Sequence, residues 1–155
     1  MSGDTSLITS RRRFLAASGG AILISAIPLK SYADEADLLR ARADLFGDRG
    51  VQEGRVTGKL PPIAENGHSV PITVSVDSPL TQDNYVKRVV ILSPRNPLPV
   101  IAQHHLTPLS GKAVVSSRIR MSGTQAIQAV AETSDGSLWS GSMETVVTLA
   151  ACVVL

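Results

Sequence analysis

Cysteine and aromatic residues are both scarce in this sequence. Its 155 residues include one cysteine, Cys152, together with one tryptophan, two tyrosines and two phenylalanines. A single cysteine excludes an internal disulfide, so its thiol is free, joined to another chain, or carrying something. So few aromatic side chains offer little stacking surface for nucleic-acid bases. These absences leave Cys152 as the one chemically unusual position and argue against nucleic-acid binding.

The usual catalytic signatures are missing as well. The sequence has no G-x-S-x-G, no phosphate-binding G-x-x-x-x-G-K, no H-E-x-x-H and no C-x-x-C. His104 and His105 are adjacent, and neighbouring side chains on a strand point to opposite faces, so they cannot easily share a metal ion. His68 is distant in the sequence. We therefore predict no catalytic residue, no metal and no cofactor, and expect solvent-facing or hydrogen-bonded histidines.

Paired carboxylates, which could serve as general acid and base, are not required by any spacing in the sequence. Each candidate carboxylate is better interpreted as a turn former or a solvated charge. These candidates are Asp77, Asp83, Glu132 and Asp135.

The first 33 residues have the pattern of an export signal. Paired arginines in "SRRRFL" precede "LAASGGAILISAIPL", which carries no charge, and Ser31-Tyr32-Ala33 forms a small-x-small cleavage site. The arginines and the soft Gly/Ser/Ala-containing core favour the twin-arginine route. The apolar run is shorter than the roughly 20 residues needed to cross a bilayer. We predict that residues 1–33 are removed on export to the periplasm, and we expect no membrane anchor.

Removing this segment changes the charge balance. Four of the 15 basic residues and one of the 13 acidic residues lie within residues 1–33, which leaves 11 basic and 12 acidic residues. The remaining chain is near neutral, so a basic surface for nucleic acid is not expected. Its 122 residues are enough for one domain with a sizeable core.

Residues 34–48 are predicted to form a helix and linker. In "DEADLLRARADLF", Leu39, Ala43 and Phe46 recur at helical spacing, with Leu38, Ala41 and Leu45 beside them. Acidic residues open this helix, and Gly47 follows it as a C-terminal stop.

Residues 49–149 have the alternating pattern of short strands. In "SVPITVSV", Val70, Ile72, Val74 and Val76 share one face, and Asp135-Gly136 between two apolar runs predicts a hairpin. Pro94, Pro97 and Pro99 should place the strand after them at an edge or bend it. About seven strands at this spacing predict an all-β, immunoglobulin-like β-sandwich. The other strand candidates are "VKRVVILS", "PVIAQHHL", "KAVVSSRIRM", "TQAIQAVAET" and "METVVTLA".

Residues 150–155 form a short tail around Cys152, and three interpretations compete for it. "CVVL" matches a prenylation pattern, but that modification occurs in the eukaryotic cytosol and conflicts with export. The cysteine could be an ordinary buried residue of a last strand, because free cysteine behaves as a small hydrophobe. It could also be a reactive group held outward, since a chain end is the segment least tied down.

The sequence resembles the SoxY family, the sulfur-carrier subunits of bacterial periplasmic thiosulfate oxidation. The resemblance covers nearly the whole chain after the signal and ends on the cysteine, which follows a pair of small residues. The stretches that carry it are "LPPIAENGHSVPITVSVDSPLTQDNYVKRVVIL", "RNPLPVIAQHHLTPLSGKAVVSSRIRM" and "AVAETSDGSLW".

The resemblance implies a carrier rather than an enzyme. Cys152 would be the covalent attachment point for sulfur, and the neighbouring residues would be the arm that presents it. The implied partners are a SoxZ-like β-sandwich subunit in a heterodimer, a c-type cytochrome, a sulfate-releasing hydrolase and, in some organisms, a molybdenum sulfur dehydrogenase. The arm residues are Ala150, Ala151, Val153, Val154 and Leu155.

The tail departs from the Gly-Gly-Cys-Gly-Gly pattern of the family. Alanine lacks the positive-φ freedom of glycine, and the valines add stiffness. No lysine or arginine lies near Cys152 in the sequence to stabilise a thiolate. Two hypotheses remain: a carrier that is modified on Cys152, and a diverged SoxY-like interaction module whose apolar tail docks or packs without carrying sulfur.

Overall fold

The computed structural model describes residues 35–151. The predicted export signal lies outside these residues, as do Cys152, Val153, Val154 and Leu155. The described chain forms a helix α1, nine strands and a short 3-10 helix at Pro108–Ser110. Their bounds are α1 Glu35–Phe46, β1 Val51–Glu53, β2 Val56–Lys59, β3 Ile63–Ala64, β4 Val70–Val76, β5 Val86–Leu92, β6 Val100–His105, β7 Val114–Ile119, β8 Gln125–Thr133 and β9 Leu138–Val147.

The strands form two sheets packed face to face. The larger sheet has the order β1-β9-β8-β5-β6, and β3 also pairs with β9. The smaller sheet has the order β2-β4-β7. Pairing within both sheets is antiparallel except for β1 and β3, which run parallel to β9. This arrangement confirms the predicted immunoglobulin-like β-sandwich.

Strand β4 shows the alternation that its sequence predicts. Val70, Ile72, Val74 and Val76 are all buried between the sheets. Thr73 lies on the opposite face, where its hydroxyl is 3.1 Å from that of Ser116 on β7. The alternation in the sequence therefore corresponds to one face of β4 that is buried and one that faces solvent.

Strand β5 is buried on both faces, which explains its nearly continuous apolar run. Val89 and Ile91 belong to the core between the sheets. Val90 and Leu92 belong to a second core beneath α1. The helix therefore covers the outer face of the large sheet and turns its central strands into fully buried ones.

Helix α1 packs through a different stripe from the one expected. Leu38 and Phe46 are buried and Leu45 packs beside them, whereas Leu39 is 57% exposed. The inclusion of Leu39 and Ala43 in the apolar face was therefore wrong, because the sheet beneath the helix selects one side of it. Gly47 ends the helix as predicted, with φ 64° and its N–H 2.7 Å from the Ala43 carbonyl.

Glu132 fastens the end of this helix to the sheet. Its carboxylate accepts hydrogen bonds from Arg49 at 3.0 Å and from Arg88 at 2.8 Å. The same two arginines donate to the carbonyls of Phe46 and Leu45, the last residues of the helix. The Arg88 guanidinium also lies 5.0 Å from the centre of the Phe46 ring. The expectation that Glu132 is a turn former or solvated charge was therefore wrong.

The sequence pattern did not predict three short strands. β1, β2 and β3 have three, four and two residues, too few to establish a period. β9 begins at Leu138, five residues before the predicted "METVVTLA", and follows the predicted hairpin, where Gly136 has φ 85°. β6 follows the proline cluster and lies at the edge of its sheet, as expected.

Within residues 35–151, no helix is long and apolar enough to span a bilayer.

Replacing Glu132 with Gln should destabilise the domain by about 2–3 kcal/mol, because two arginines lose a partly buried anionic partner. Urea unfolding at pH 7 would measure the difference. Glu144→Gln is the matched control, since Glu144 is exposed on β9. An equal effect of the two substitutions would contradict the role assigned to Glu132.

The difference in the free energy of unfolding between the wild type and Glu132→Gln should depend on pH. Burial raises the pKa of Glu132, but the hydrogen bonds and charges of Arg49 and Arg88 outweigh it and hold the pKa below its ordinary value of 4.5. The stabilisation is therefore complete above pH 4.5 and is lost as the pH falls through the lowered pKa. The free energies of unfolding of the wild type and Glu132→Gln should therefore become equal in acid.

Candidate functional site

The last described residues leave the end of β9 and remain tied to the sandwich. The Val147 N–H donates to the Thr124 hydroxyl, and the Thr148 N–H donates to the Ala64 carbonyl, both at 3.0 Å. Strand β3 therefore continues to guide the chain past the end of β9. Leu149 follows with 62% of its surface exposed.

Beyond Thr148, two backbone hydrogen bonds hold the tail against two loops, and a third joins the loops to each other. The Gly67 N–H donates to the Leu149 carbonyl at 2.7 Å, and the Ala151 N–H donates to the Met121 carbonyl at 3.0 Å. The Met121 N–H in turn donates to the Gly67 carbonyl at 2.8 Å. We call this set of bonds the tail clamp. It ends at Ala151, the residue to which Cys152 is bonded.

The tail clamp requires glycine at position 67. A Cβ atom at Gly67 would lie 2.2 Å from the Met121 carbonyl oxygen and 3.1 Å from the Ala151 nitrogen. Both neighbours are backbone atoms, so no side-chain movement could make room. The Asn66 side chain supports the turn by accepting the His68 N–H at 3.1 Å. Asn66-Gly67, a dipeptide typical of turns, therefore forms a turn here, and its contact with the tail could not be predicted from the sequence pattern.

Met121 is held in place by the buried side chain of Asn96. The Asn96 amide donates to the Arg120 carbonyl at 2.8 Å, and its oxygen accepts the Ser122 N–H at 3.0 Å. The same oxygen accepts a hydrogen bond from the Gln125 side chain at 3.1 Å. Since these bonds fix the residues on both sides of Met121, they orient the carbonyl that receives the tail.

Arg120 is the residue directly before Met121, whose carbonyl accepts the Ala151 N–H. Arg120 is exposed, and so is Arg118 within β7. Arg118 donates to the Ser69 carbonyl at 3.4 Å, beside the turn that contains Gly67. Arg118 and Arg120 therefore precede one part of the clamp in the chain, although no lysine or arginine is near Cys152 in the sequence.

The histidines occupy three different environments. His68 is exposed in the clamp turn and His105 is exposed on β6. His104 faces the other side of β6, where its Nε2 is buried without a hydrogen-bond partner among residues 35–151. His104 therefore differs from the expected solvent-facing or hydrogen-bonded histidine. The described part of the chain contains no group of three or more His, Cys, Asp or Glu side chains that could hold a metal ion.

Asp135 shapes the hairpin between β8 and β9, as expected. Its carboxylate accepts hydrogen bonds from the Thr133 hydroxyl and the Ser137 N–H. These bonds hold the pKa of Asp135 below its ordinary value. The carboxylate thus serves the turn rather than a paired acid–base site.

Comparison with known proteins decides the family. The model of the sulfur oxidation protein SoxY family matches residues 42–152, a span that ends on Cys152. The chain belongs to the SoxY family. No curated protein matches the sequence significantly.

A solved structure supports this assignment. The sulfur carrier protein SoxY from Chlorobium limicola f thiosulfatophilum matches with 31% identity and a TM-score of 0.62, over 72% of this chain and 91% of that one. A superoxide reductase (neelaredoxin) from Ignicoccus hospitalis matches with 15% identity and a TM-score of 0.54, over 61% of this chain and 80% of that one. The second likeness shows a shared fold alone.

Replacing Gly67 with Ala should open the tail clamp in this SoxY-family chain. The added Cβ must displace backbone atoms, at a cost of about 1–3 kcal/mol. We expect amide hydrogen exchange at Gly67, Met121 and Ala151 to become at least tenfold faster. Gly50→Ala is the matched control, because nothing lies within 4 Å of a Cβ there. Unchanged protection at Ala151 would show that the tail is held by other contacts.

Proposed function

We propose that this chain is a periplasmic sulfur carrier that holds thiosulfate-derived intermediates covalently on Cys152 and presents them to separate enzymes. The observation that carries the proposal is the extent of the SoxY family match, which runs to Cys152 and ends there. The residue before it, Ala151, is fixed to the sandwich through Met121. A rigid domain with a thiol just beyond its last anchored residue suits a carrier better than an enzyme.

Loading is an oxidation. The Cys152 thiolate and thiosulfate join through a new S–S bond, giving a cysteine S-thiosulfonate and releasing two electrons, plus a proton if the cysteine begins as a thiol. The c-type cytochrome implied by the family resemblance is the electron acceptor. We assign activation of the thiol to that partner, because no lysine or arginine lies near Cys152 in the sequence.

Unloading then requires water but no oxidant. Hydrolysis breaks the bond between the sulfonate sulfur and the sulfane sulfur, releasing sulfate and two protons and leaving a persulfide on Cys152. The sulfate-releasing hydrolase supplies this step. The persulfide retains the second sulfur atom for a further oxidation, which in some organisms would involve a molybdenum sulfur dehydrogenase.

The arm in this proposal consists of Ala150, Ala151, Val153, Val154 and Leu155 around the cysteine. Its reach depends on the tail clamp, since Ala151 is held by Met121. While the clamp is closed, only residues from Cys152 onward can extend into a partner. Opening it adds the residues from Leu149 to Ala151 to the arm.

A diverged interaction module is the second candidate. Three large apolar side chains near the tail are exposed by 49–63%, and two of them are register partners in adjacent strands. Such a patch favours docking, and docking would not require the thiol. These side chains are Ile63, Val146 and Leu149.

Intact-protein mass spectrometry on the exported protein from thiosulfate-grown host cells separates these functions. We expect thiosulfonate or persulfide adducts that reductant removes and that Cys152→Ser abolishes, because no other residue carries a thiol. Cys152→Ser should also abolish thiosulfate oxidation in a strain in which this chain is the only carrier. An unmodified thiol together with full activity of Cys152→Ser would favour the interaction module.

Export through the twin-arginine route is tested separately. Replacing Arg11 and Arg12 with lysines should leave the precursor in the cytoplasm, because the twin-arginine route requires the arginine pair. The substitution preserves the positive charge, so any loss of export would come from the loss of the arginines themselves. Immunoblots of periplasmic and cytoplasmic fractions would measure the distribution. Arg40→Lys, outside the predicted signal, is the control and should export normally. Unimpaired export of the double variant would point to another route.

A further inference from the structure

Strand β7 presents an open edge of the smaller sheet. Its only strand neighbour among residues 35–151 is β4. The Val76 N–H donates to the Ala113 carbonyl, which sets the alternation: Val115, Ser117 and Ile119 direct their backbone groups toward β4. The N–H and C=O groups of the three intervening residues point away from the sheet, and all three residues are exposed. These are Val114, Ser116 and Arg118.

The other edges of the described sheets are shorter, obstructed or irregular. On β2, the Val56 carbonyl lies against β9 so closely that a Cβ at Gly141 would come within 2.1 Å of it. Strands β1 and β3 have only three and two residues. Strand β6 follows a proline-rich loop, and a bulge interrupts its pairing with β5. By contrast, β7 pairs with β4 over six residues without a register shift and contains no proline.

The charges beside β7 argue against pairing with a second copy. Lys112 and Arg120 flank the strand, and Arg118 lies within it. If two copies paired antiparallel about Ser116, Lys112 of each copy would lie opposite Arg120 of the other. Like charges placed directly opposite each other are destabilising. This edge instead suits a strand that carries acidic residues and has an apolar residue near Val114.

We propose that β7 is where a partner β-sandwich subunit adds an acidic edge strand to the smaller sheet. This inference rests on the carrier function proposed above and on the β-sandwich subunit that the family resemblance implies, and it identifies their contact surface. Backbone hydrogen bonds from Val114, Ser116 and Arg118 supply the pairing, and the cations flanking them set the register. Asn96 bounds the edge by donating to the Arg120 carbonyl, so the tail clamp remains free when the strand is added.

Ser116→Pro tests the backbone pairing. Proline removes an outward N–H that β4 does not use, and Ser116→Ala is its matched control, because both lack the hydroxyl but only alanine keeps the N–H. Arg118→Glu tests the charge, with Lys59→Glu on the opposite edge strand as control. Titration calorimetry with the SoxZ-like β-sandwich subunit of the host should show at least tenfold weaker binding for Ser116→Pro and Arg118→Glu only. Thermal unfolding establishes that each variant is folded.

Hydrogen exchange on the wild-type complex provides an independent measurement. Protection of the Val114, Ser116 and Arg118 amides on complex formation supports the inference. Undiminished binding by folded Ser116→Pro, or unprotected amides in a formed complex, overturns it while leaving the carrier function intact. If the wild type self-associates and Ser116→Pro abolishes that self-association, the strand that pairs with β7 comes from a second copy of this chain. This result would overturn the proposed partner subunit. Absence of any complex with the wild type overturns the partner too, and the Cys152 adducts still report on the carrier function separately.

Discussion

The buried amide of Asn96 holds together the end of the sandwich from which the tail leaves. It joins the β5–β6 connection to the β7–β8 connection through the Arg120 carbonyl, the Ser122 N–H and the Gln125 side chain. Hydrophobic burial is non-directional and would align neither connection by itself. A buried amide with its donor and acceptor both paired gives these loops a defined register. Gly67, Met121 and the tail then assemble on that fixed support.

The end of helix α1 is fixed to the larger sheet by charged side chains rather than by a neutral amide. The helix lies on the sheet through a small apolar cluster, and Glu132 with its two arginines fixes the helix end. Because Arg88 bonds both to the carboxylate and to the Leu45 carbonyl, one side chain couples the ion pair to the orientation of the helix. The tail clamp consists of backbone groups alone, so it does not depend on the ionisation of a side chain.

The sequence predicted those features that depend on local periodicity. The alternation in β4, the hairpin at Asp135-Gly136 and the helix stop at Gly47 all follow from residues close together in the chain. The two-sided burial of β5 and the exposure of Leu39 depend on where α1 lies, which no local pattern contains. The tail clamp is a contact among Gly67, Met121 and Ala151, which are far apart in the sequence. The Asn66-Gly67 dipeptide indicates a turn, but it does not indicate that this turn contacts the tail. Cys152 was singled out by its rarity and by the family resemblance, and lies outside the described residues.

The parallel pairing of β1 and β3 with β9 makes the N-terminal and C-terminal parts of the domain mutually dependent. Val51 pairs with Leu138, and Ile63 pairs with Val146, so contacts of very large sequence separation close the larger sheet. Contacts of this kind are satisfied only after most of the chain has been organised. The base of the tail, bonded to Ala64, Gly67 and Met121, therefore exists only in the complete domain. The position of the last described residues therefore depends on contacts from distant parts of the chain, and loss of any of these partners would leave Leu149 to Ala151 without a fixed position.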